Sequence, residues 1–486
     1  MKSNRLSPSS SKGFNLLRPL FIRFSAVSCL LMAAPCFVAE AVTAPLRVAC
    51  VGDSITEGSG VTYREWEAYP SQLQRMLGNE AYKVGNFGVG GSTLLNSGDK
   101  PYQKQSSFQQ ALNFKPDIVV IQLGTNDTKP QNWAHKDQFA PDYKDLVAKF
   151  QALTPAPRIF LNLPPSIPNP GNYGINERAL LEEIPLIKTV AGETQASVID
   201  VHGAFLNHDD LFPDRVHPNT AGATVLAKAV FAGITHHEFV GEVPSQITSQ
   251  RGMNQQIDFF INGRTATLIC PKTPAPGRPW IWRTEFLGAF PSVDDALLAK
   301  GWHIAYINVQ NLYGAPTALD AMDGFHSYLI DHQKLAAKPV LEGFSRGGLF
   351  AFNWAARNPS KVAALYVDAP VCDFKSWPGG KGKGKGSPDD WKGCLKAYKF
   401  TEEQALAYPL NPVDNLAPIA AAKIPIIAVA GDADDTVPIE ENIKIVEARY
   451  LKLGGEIKVI IKPGCAHHPH SLTDPTPVVD FLLAHH

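Results

Sequence analysis

Cysteine is scarce in this sequence, and neither sign of charge is in excess. Only 7 of the 486 residues are cysteine, which is too few for a disulfide scaffold in a chain of this length. Lys and Arg together number 45, and Asp and Glu 46, so the net charge of −1 gives no reason to expect nucleic acid or an anionic membrane as a partner. Beyond the N-terminus, no apolar run is long enough to cross a bilayer.

The composition that remains is that of a globular protein. Hydrophobic residues make up 44% and charged residues 19% of the sequence, which excludes a disordered, collagen-like or coiled-coil protein. A length of 486 residues predicts two to three domains. The sequence does not indicate an oligomeric state.

The first 41 residues have the features of a secretory signal peptide. Basic residues precede a short apolar stretch at 24–34, and Ala39 and Ala41 supply the small residues that a signal peptidase reads. We therefore expect residues 1–41 to be removed and the protein to be secreted or periplasmic. Five cysteines then remain, of which Cys372 and Cys394 flank a loop and either pair in an oxidising compartment or stay free.

Two patterns of alternating strands and helices follow one another along the chain. Short apolar runs separated by amphipathic stretches predict buried parallel strands at 46–51, 118–123, 159–163 and 197–201. After a polar stretch near 240–254, a second series predicts strands at 257–261, 265–269, 280–282, 304–307, 340–341, 363–367, 426–429 and 457–461. We predict an α/β protein with two three-layer domains, at 42–245 and 246–486.

Four short motifs of the first series carry polar groups at the ends of predicted strands. Ser54 follows the first strand in Gly-Asp-Ser, and a glycine-rich loop reads Asn-x-Gly-x-x-Gly up to Gly91. Asn126 follows another strand, and Asp214-x-x-His217 places an acid three residues before a base. These groups supply a nucleophile, a base, its orienting acid and oxyanion donors, which is the set that acyl transfer needs.

These four ordered motifs resemble the SGNH (GDSL) hydrolase family over residues 45–239. The resemblance implies a flavodoxin-like parallel sheet and a serine hydrolase in which Ser54 is the nucleophile, His217 the base and Asp214 its partner. It also implies an oxyanion hole made by the backbone N–H groups of Ser54 and Gly91 and by the side chain of Asn126.

The second series contains a nucleophile elbow. Gly-Phe-Ser345-Arg346-Gly lies between a predicted strand and a helical stretch, which is the context that this motif requires. A later strand runs into a turn rich in Asp, and the last strand runs into a turn rich in His. The order Ser, Asp, His along the chain is that of α/β-hydrolases.

Residues 250–486 accordingly resemble the α/β-hydrolase superfamily. The resemblance implies that Ser345 is the nucleophile and that the backbone N–H of Arg346 is one oxyanion donor. The second donor is expected in the loop after 280–282, near Arg283, where no HGGG motif is found. Asp434 is the best match to the acid and His467 to the base, and the alternatives that stay open are Asp432, Asp435 and the more remote Asp368 for the acid, and His468 and His470 for the base.

Three further residues are candidate substrate contacts. Arg283 is either a substrate clamp or an ion-pair partner of Glu285. Trp377 and Trp391 flank a basic glycine-rich loop at 379–386, where their rings offer flat faces that suit sugars.

The pairing of two unlike esterase folds resembles bimodular carbohydrate esterases, which implies a carboxylic ester hydrolase that acts on acylated polysaccharide, acetylated xylan first. No cofactor is expected. The alternatives are a methyl- or feruloyl-esterase in the second domain, or a second domain that binds carbohydrate without catalysis. The histidines at 467, 468 and 470 look like a ligand cluster, but no matching carboxylate or cysteine set is evident, so no metal is predicted.

Overall fold

Two β-sheets organise residues 44–486, the part of the chain that the computed structural model describes. The signal peptide expected at 1–41 lies outside these residues. We call residues 44–245 the first half and residues 246–486 the second half. The strands are β1 (Leu46–Gly52), β2 (Tyr82–Gly88), β3 (Ile118–Gln122), β4 (Arg158–Asn162), β5 (Ser197–Ile199), β6 (Gln246–Arg251), β7 (Asn254–Ile261), β8 (Arg264–Cys270), β9 (Trp280–Arg283), β10 (His303–Ile307), β11 (Val340–Phe344), β12 (Ala364–Asp368), β13 (Ile426–Gly431) and β14 (Ile457–Lys462).

Helices connect most of the strands and cover both faces of the two sheets. The α-helices are α1 (Ser54–Glu57), α2 (Arg64–Glu67), α3 (Tyr69–Leu77), α4 (Ser106–Asn113), α5 (Pro130–Trp133), α6 (Phe139–Gln151), α7 (Glu177–Thr194), α8 (Val201–Ala204), α9 (Thr220–Thr235), α10 (Ser292–Ala299), α11 (Pro316–Asp331), α12 (Gly347–Arg357), α13 (Pro388–Tyr398), α14 (Glu402–Leu406), α15 (Ala417–Ala421), α16 (Ile443–Lys452) and α17 (Thr476–Ala484). Short 3₁₀ turns lie at Tyr102–Lys104, Thr125–Thr128, Lys136–Gln138, Asp209–Leu211, Pro359–Lys361 and Ile439–Glu441.

The sheet of the first half is parallel, with the strand order β2-β1-β3-β4-β5. This is the flavodoxin-like order of a doubly wound fold, and it confirms the predicted fold class. Every residue of the central strand β3 is buried, because helices cover both of its faces.

Strand β2 was not predicted. Its polar and glycine residues give no apolar run, yet it pairs with β1 in register, with Cys50 opposite Asn86 and Gly52 opposite Gly88. The first part of the expected glycine-rich loop is therefore an edge strand. The loop itself begins after Gly88 and includes Gly91, whose φ of +78° is a conformation that favours glycine.

The sheet of the second half is mixed, with the order β14-β13-β12-β11-β9-β10-β8-β7-β6. Strands β9 to β14 pair in parallel, whereas β6, β7 and β8 form antiparallel pairs. The turn between β7 and β8 is the predicted Asn262-Gly263, and both residues have positive φ, as a two-residue hairpin requires. Strand β6 lies in the polar stretch near 240–254, where the sequence predicts no strand, because a polar edge strand lacks an apolar pattern.

The two halves contact each other through aromatic residues. Trp66 stacks on Phe260 with ring centroids 5.5 Å apart and an interplanar angle of 11°, and Tyr63 lies 5.1 Å from the same ring. Beside this contact is a cavity of about 440 Å³, lined by residues 62–65 of the first half and by side chains of β7, β8 and the loop after β10.

None of the helices in residues 44–486 has the length and apolar character that a membrane crossing demands. Cys372 and Cys394 are both buried and free. The structure therefore has two free thiols at these positions and not a disulfide bond.

Candidate active sites

The first half brings Ser54, His217 and Asp214 into one hydrogen-bonded chain, which we call the Ser54 site. Ser54 Oγ lies 2.8 Å from His217 Nε2, and His217 Nδ1 lies 2.6 Å from Asp214 Oδ2. The other oxygen of Asp214 accepts the backbone N–H groups of Val216 and His217. Burial alone would raise the pKa of Asp214, but these hydrogen bonds hold it below its usual value.

Local sequence explains where Ser54 stands. Strand β1 ends at Gly52, and the carboxylate of Asp53 caps α1 by accepting the N–H of Ile55 at 2.9 Å. This cap places Ser54 at the first position of the helix, at the carboxyl end of the sheet. Burial raises the pKa of Asp53 to about 6, against hydrogen bonding and the nearby His217, which lower it.

The expected oxyanion donors lie on two neighbouring loops. A Cβ built on Gly90 would stand 3.9 Å from the Cβ of Ser54, so the loop that carries Gly91 runs beside Ser54. The Asn126 side chain is buried, and its amide nitrogen donates to Ser92 O at 3.1 Å, which ties it to the same loop.

A buried acid that the sequence analysis missed holds this loop in place. Asp127 accepts the N–H groups of Leu94 and Leu95 at 2.9 and 2.8 Å, and burial raises its pKa to about 7. Asp127 is the residue after Asn126, so the Gly-Thr-Asn-Asp motif supplies both a donor and a support for the opposite loop.

The second half contains another hydrogen-bonded chain, which we call the Ser345 site. Ser345 Oγ lies 2.9 Å from His467 Nε2, and His467 Nδ1 lies 2.7 Å from Asp434 Oδ2. The other oxygen of Asp434 accepts the N–H groups of Thr436 and Val437. Ser345, Asp434 and His467 follow strands β11, β13 and β14, so all three lie at the carboxyl end of the parallel strands.

Ser345 has the backbone geometry of a nucleophile elbow. Its φ of +49° lies in the left-handed region, which is strained for a serine and is held here between β11 and α12. A Cβ on Gly343 would lie 2.8 Å from Gly347 O, and one on Gly348 would lie 2.7 Å from Pro370 Cβ, so both positions need glycine.

The competing acids and bases have other partners in the structure. Asp432 accepts the N–H of Gly464, and Asp435 is exposed and pairs with Lys385. Asp368 accepts His470 Nδ1 at 2.8 Å together with the N–H of Ser471, while His468 is exposed. The geometry therefore joins Asp434 and His467, and no other pair from the two turns, to Ser345.

Arg346 follows Ser345 and is the N-cap residue of α12. Its guanidinium lies 3.4 Å from the buried Glu285 and 3.5 Å from Asp390, and near the rings of Phe286 and Tyr313. Burial raises the pKa of Glu285 to about 7, and Arg346 opposes this rise. Sequence reasoning had named Glu285 only as a partner of Arg283.

Arg283 does not face a substrate, which corrects one expectation. Its side chain is 0% exposed, and Nε lies 2.7 Å from Asp294 and Nη2 3.2 Å from Glu342. The guanidinium also lies over the ring of Phe344 at 4.4 Å. Arg283 is therefore a buried ion-pair centre behind the elbow strand, and its partners are not Glu285.

The two tryptophans are less accessible than expected. Trp391 is only 8% exposed and packs against Phe374, which corrects its assignment as a substrate wall. Trp377 is partly buried against the same cluster. A flat surface for a sugar at this place is limited to the exposed part of Trp377.

The chain matches two family models. Residues 50–225 match the GDSL-like lipase/acylhydrolase family, and residues 305–483 match the prolyl oligopeptidase family. The resemblances to SGNH (GDSL) hydrolases and to α/β-hydrolases are thereby confirmed, and the second assignment is finer than the one reached from the sequence. The domain boundaries at 42–245 and 246–486 stay predictions.

An acetylxylan esterase from Xylanibacter ruminicola is similar to part of the chain. The two are 39% identical over 208 residues, which are 39% of this chain and 43% of that relative. The chain thus spans less than half the length of this curated relative.

Two solved structures are also similar. A carbohydrate acetylesterase from Sinorhizobium meliloti is 21% identical with a TM-score of 0.33, and the match covers 39% of this chain and 99% of the other. Dipeptidyl peptidase 4 from Porphyromonas gingivalis is 14% identical with a TM-score of 0.38, and the match covers 50% of this chain and 36% of the other.

Proposed function

We propose that this chain, which joins a GDSL-like lipase/acylhydrolase domain to an α/β-hydrolase domain of the prolyl oligopeptidase family, is a serine esterase with two active sites. Its substrate is acylated plant cell-wall polysaccharide, and acetylated xylan is the first candidate. The observation that carries the proposal is the pair of complete Ser–His–Asp chains, each with hydrogen bonds of 2.6 to 2.9 Å.

At the Ser54 site, Ser54 Oγ attacks the acetyl carbonyl while His217 Nε2 takes its proton. The oxyanion forms beside the N–H groups of Ser54 and Gly91 and the Asn126 amide. Collapse of the tetrahedral intermediate releases the sugar hydroxyl, which receives the proton from His217. Water then attacks the acetyl-serine by the same route, and acetate leaves.

At the Ser345 site, His467 acts as the base and Asp434 holds its Nδ1–H. The N–H of Arg346 is one oxyanion donor. A Cβ on Gly347 would lie 3.8 Å from the backbone nitrogen of Glu285, so the loop after β9 lies against the elbow, and we assign the second donor to this loop. The reaction follows the same two acyl-transfer steps.

Acetyl is the preferred acyl group because the first half is 39% identical to part of an acetylxylan esterase. This identity covers only the first half, so the acyl group at the Ser345 site rests on the triad alone. A methyl- or feruloyl-ester at that site is the alternative within the same chemistry.

A second candidate for the Ser345 site is the hydrolysis of peptide bonds. The match of residues 305–483 to the prolyl oligopeptidase family favours it. The triad chemistry is common to esters and amides, so the acyl acceptor decides between the two.

The deciding experiment measures the activity of three variants: Ser54→Ala, Ser345→Ala and the double variant. The substrates are acetylated, methylated and feruloylated glycans and dipeptide amides. We expect each single variant to keep one ester activity and the double variant to keep none. A fluorophosphonate probe should add two labels per wild-type chain and one per single variant. A Ser345 site that takes no label and no substrate would make the second half a non-catalytic module.

We further propose that the protein is exported, on the signal-like features of residues 1–41. Fusing residues 1–41 to a phosphatase that is active only outside the cytoplasm should give active reporter. The matched control replaces the apolar stretch 24–34 with a polar sequence, and equal reporter activity in both fusions would contradict export.

A further inference from the structure

Three histidines meet beside Ser345, and acyl transfer uses only one of them. His467, His468 and His470 each offer a ring nitrogen, and these three nitrogens lie within 4.8 Å of one another. Their ring centroids are 4.9, 5.0 and 4.8 Å apart in pairs. Within residues 44–486, no other group of three or more His, Cys, Asp or Glu side chains converges in this way.

Two of these imidazoles are oriented as metal-binding histidines usually are. His467 Nδ1 is 2.7 Å from Asp434, and His470 Nδ1 is 2.8 Å from Asp368. A carboxylate that accepts Nδ1–H fixes the tautomer, leaves the lone pair on Nε2 and makes that nitrogen a better ligand. His468 is exposed, and its ring lies nearly parallel to that of Phe290 with centroids 6.0 Å apart, so binding a shared metal would turn it out of this stack.

We propose that His467, His468 and His470 bind Zn²⁺, and that zinc bound there switches the Ser345 site off. Imidazole suits zinc, and three histidines with one open position make a common zinc geometry. The sequence around these histidines offers no evident carboxylate or cysteine ligand. In the structure, the carboxylates lie behind the imidazoles, where they orient the ligands.

The distances allow such a site after a small rearrangement. Zinc–nitrogen bonds of about 2.0–2.1 Å place tetrahedral ligand atoms about 3.3 Å apart. The observed spread of up to 4.8 Å therefore has to contract by roughly 1.5 Å. The rings of His467 and His470 are held by carboxylates, so His468 is the ring of the three that no carboxylate fixes.

Inhibition follows from competition for one lone pair. His467 Nε2 accepts the hydroxyl proton of Ser345 at 2.9 Å, and the same lone pair would ligate zinc. A metal-bound His467 cannot act as a base, so zinc and catalysis exclude each other. Among the residues that the structure describes, no comparable group of His, Cys, Asp or Glu side chains lies at the Ser54 site.

The first test uses the full chain and compares its two sites, and so rests on the proposed function. The Ser54→Ala variant reports the Ser345 site, and Ser345→Ala reports the Ser54 site. Zn²⁺ should lower hydrolysis by Ser54→Ala on the order of tenfold or more and leave Ser345→Ala unchanged. Mg²⁺ should inhibit neither, because it prefers oxygen ligands. Equal zinc inhibition of both variants would overturn the proposal.

The second test measures zinc binding directly and needs no activity. Competition with a chromophoric chelator should give one Zn²⁺ per wild-type chain, and Co²⁺ bound at the site should show the absorption of a tetrahedral complex. His468→Ala should lower the affinity on the order of tenfold or more, keep hydrolysis and relieve the inhibition. His135→Ala, at an exposed histidine of the first half, is the matched control.

The two tests separate the possible failures. Equal zinc affinity of wild type, His468→Ala and His135→Ala would show that the cluster is not a zinc site. If no ester is hydrolysed at Ser345 but His468→Ala still loses zinc, the proposed function fails and the zinc site stands.

Discussion

The two Ser–His–Asp chains have nearly equal hydrogen-bond lengths but are assembled over very different distances in the sequence. The Ser–His distances are 2.8 and 2.9 Å, and the His–Asp distances 2.6 and 2.7 Å. Asp214 and His217 belong to one turn, whereas Asp434 and His467 follow two neighbouring strands, 33 residues apart. The same geometry thus arises once from a local turn and once from the edge of a sheet.

The two sites also differ in burial. The side chain of Asp214 is 35% exposed, and that of Asp434 is 0% exposed. An ion pair between the acid and the protonated base is screened less in the buried site, so the acid should contribute more to catalysis there. The comparison teaches that equal distances do not imply equal energetic roles.

The largest effect is expected from the bases. In a Ser54→Ala background, His467→Ala should lower kcat on the order of 10³–10⁶, as triad members act as a unit. His217→Ala in a Ser345→Ala background should cost about as much. Rates with 4-nitrophenyl acetate test both.

His468→Ala and His470→Ala serve as controls at the Ser345 site, where both should keep most of the activity. Full loss in His470→Ala beside a near-normal His467→Ala would mean that the base pairs with Asp368 instead, and that the two sites are less alike than the distances suggest.

The acids should separate the sites by a smaller factor. Asp434→Asn keeps an oxygen for the N–H groups of Thr436 and Val437 but loses the charge, and should lower kcat on the order of 10⁴. Asp214→Asn should cost about 10², because solvent reaches this carboxylate. Each substitution is measured in the background that silences the other serine. Equal losses would show that burial of the acid does not matter here.

The local site was predictable from the sequence, and the sheet-edge site only in part. A serine after a strand and an acid three residues before a histidine are local patterns, and the family resemblance that they carry implies Ser54, Asp214 and His217 without alternatives. The choice between Asp434 and its neighbours depends on how the turn after β13 packs against the turn after β14. No local sequence pattern encodes this packing.

Other features were not predictable from the sequence for similar reasons. Strands β2 and β6 are edge strands whose pairing partners, rather than an apolar pattern, define them. Arg283 looked accessible because its partners, Asp294 and Glu342, lie 11 and 59 residues away. Only the tertiary structure shows a buried charge as paired.

A third prediction concerns the buried acids Asp53 and Glu285, which lie near Ser54 and Ser345. Burial raises the pKa of Glu285 to about 7 from 4.5. The folded state therefore holds this proton more tightly, so the free energy of unfolding should fall as pH rises from 4.5 to 7, by about 3 kcal/mol at most. The corresponding window for Asp53 runs from 3.8 to about 6.

Glu285→Gln should remove the part of the decrease in unfolding free energy that Glu285 causes. The variant should therefore be more stable than wild type at pH 8. Urea unfolding at pH 5 and pH 8 measures this, with Glu242→Gln at an exposed position as the control. A wild-type stability that is the same at both pH values, or a Glu285→Gln variant that loses stability at pH 8, would contradict a raised pKa of Glu285 in the folded protein.

The smallest expected effect tests how independent the two halves are. Separate sheets predict that 42–245 and 246–486 fold alone, yet Trp66 and Phe260 stack across the contact between them. A double-mutant cycle of Trp66→Ala and Phe260→Ala should give a coupling of about 0.5–1.5 kcal/mol in the unfolding of the full chain.

Phe231 and Phe239, whose rings lie 5.2 Å apart within the first half, provide the matched control cycle. Their coupling should persist in the isolated fragment 42–245, because both rings belong to it, whereas Trp66→Ala should cost less there than in the full chain. An equal cost of Trp66→Ala in both would mean that the stack adds nothing and that the halves are only tethered.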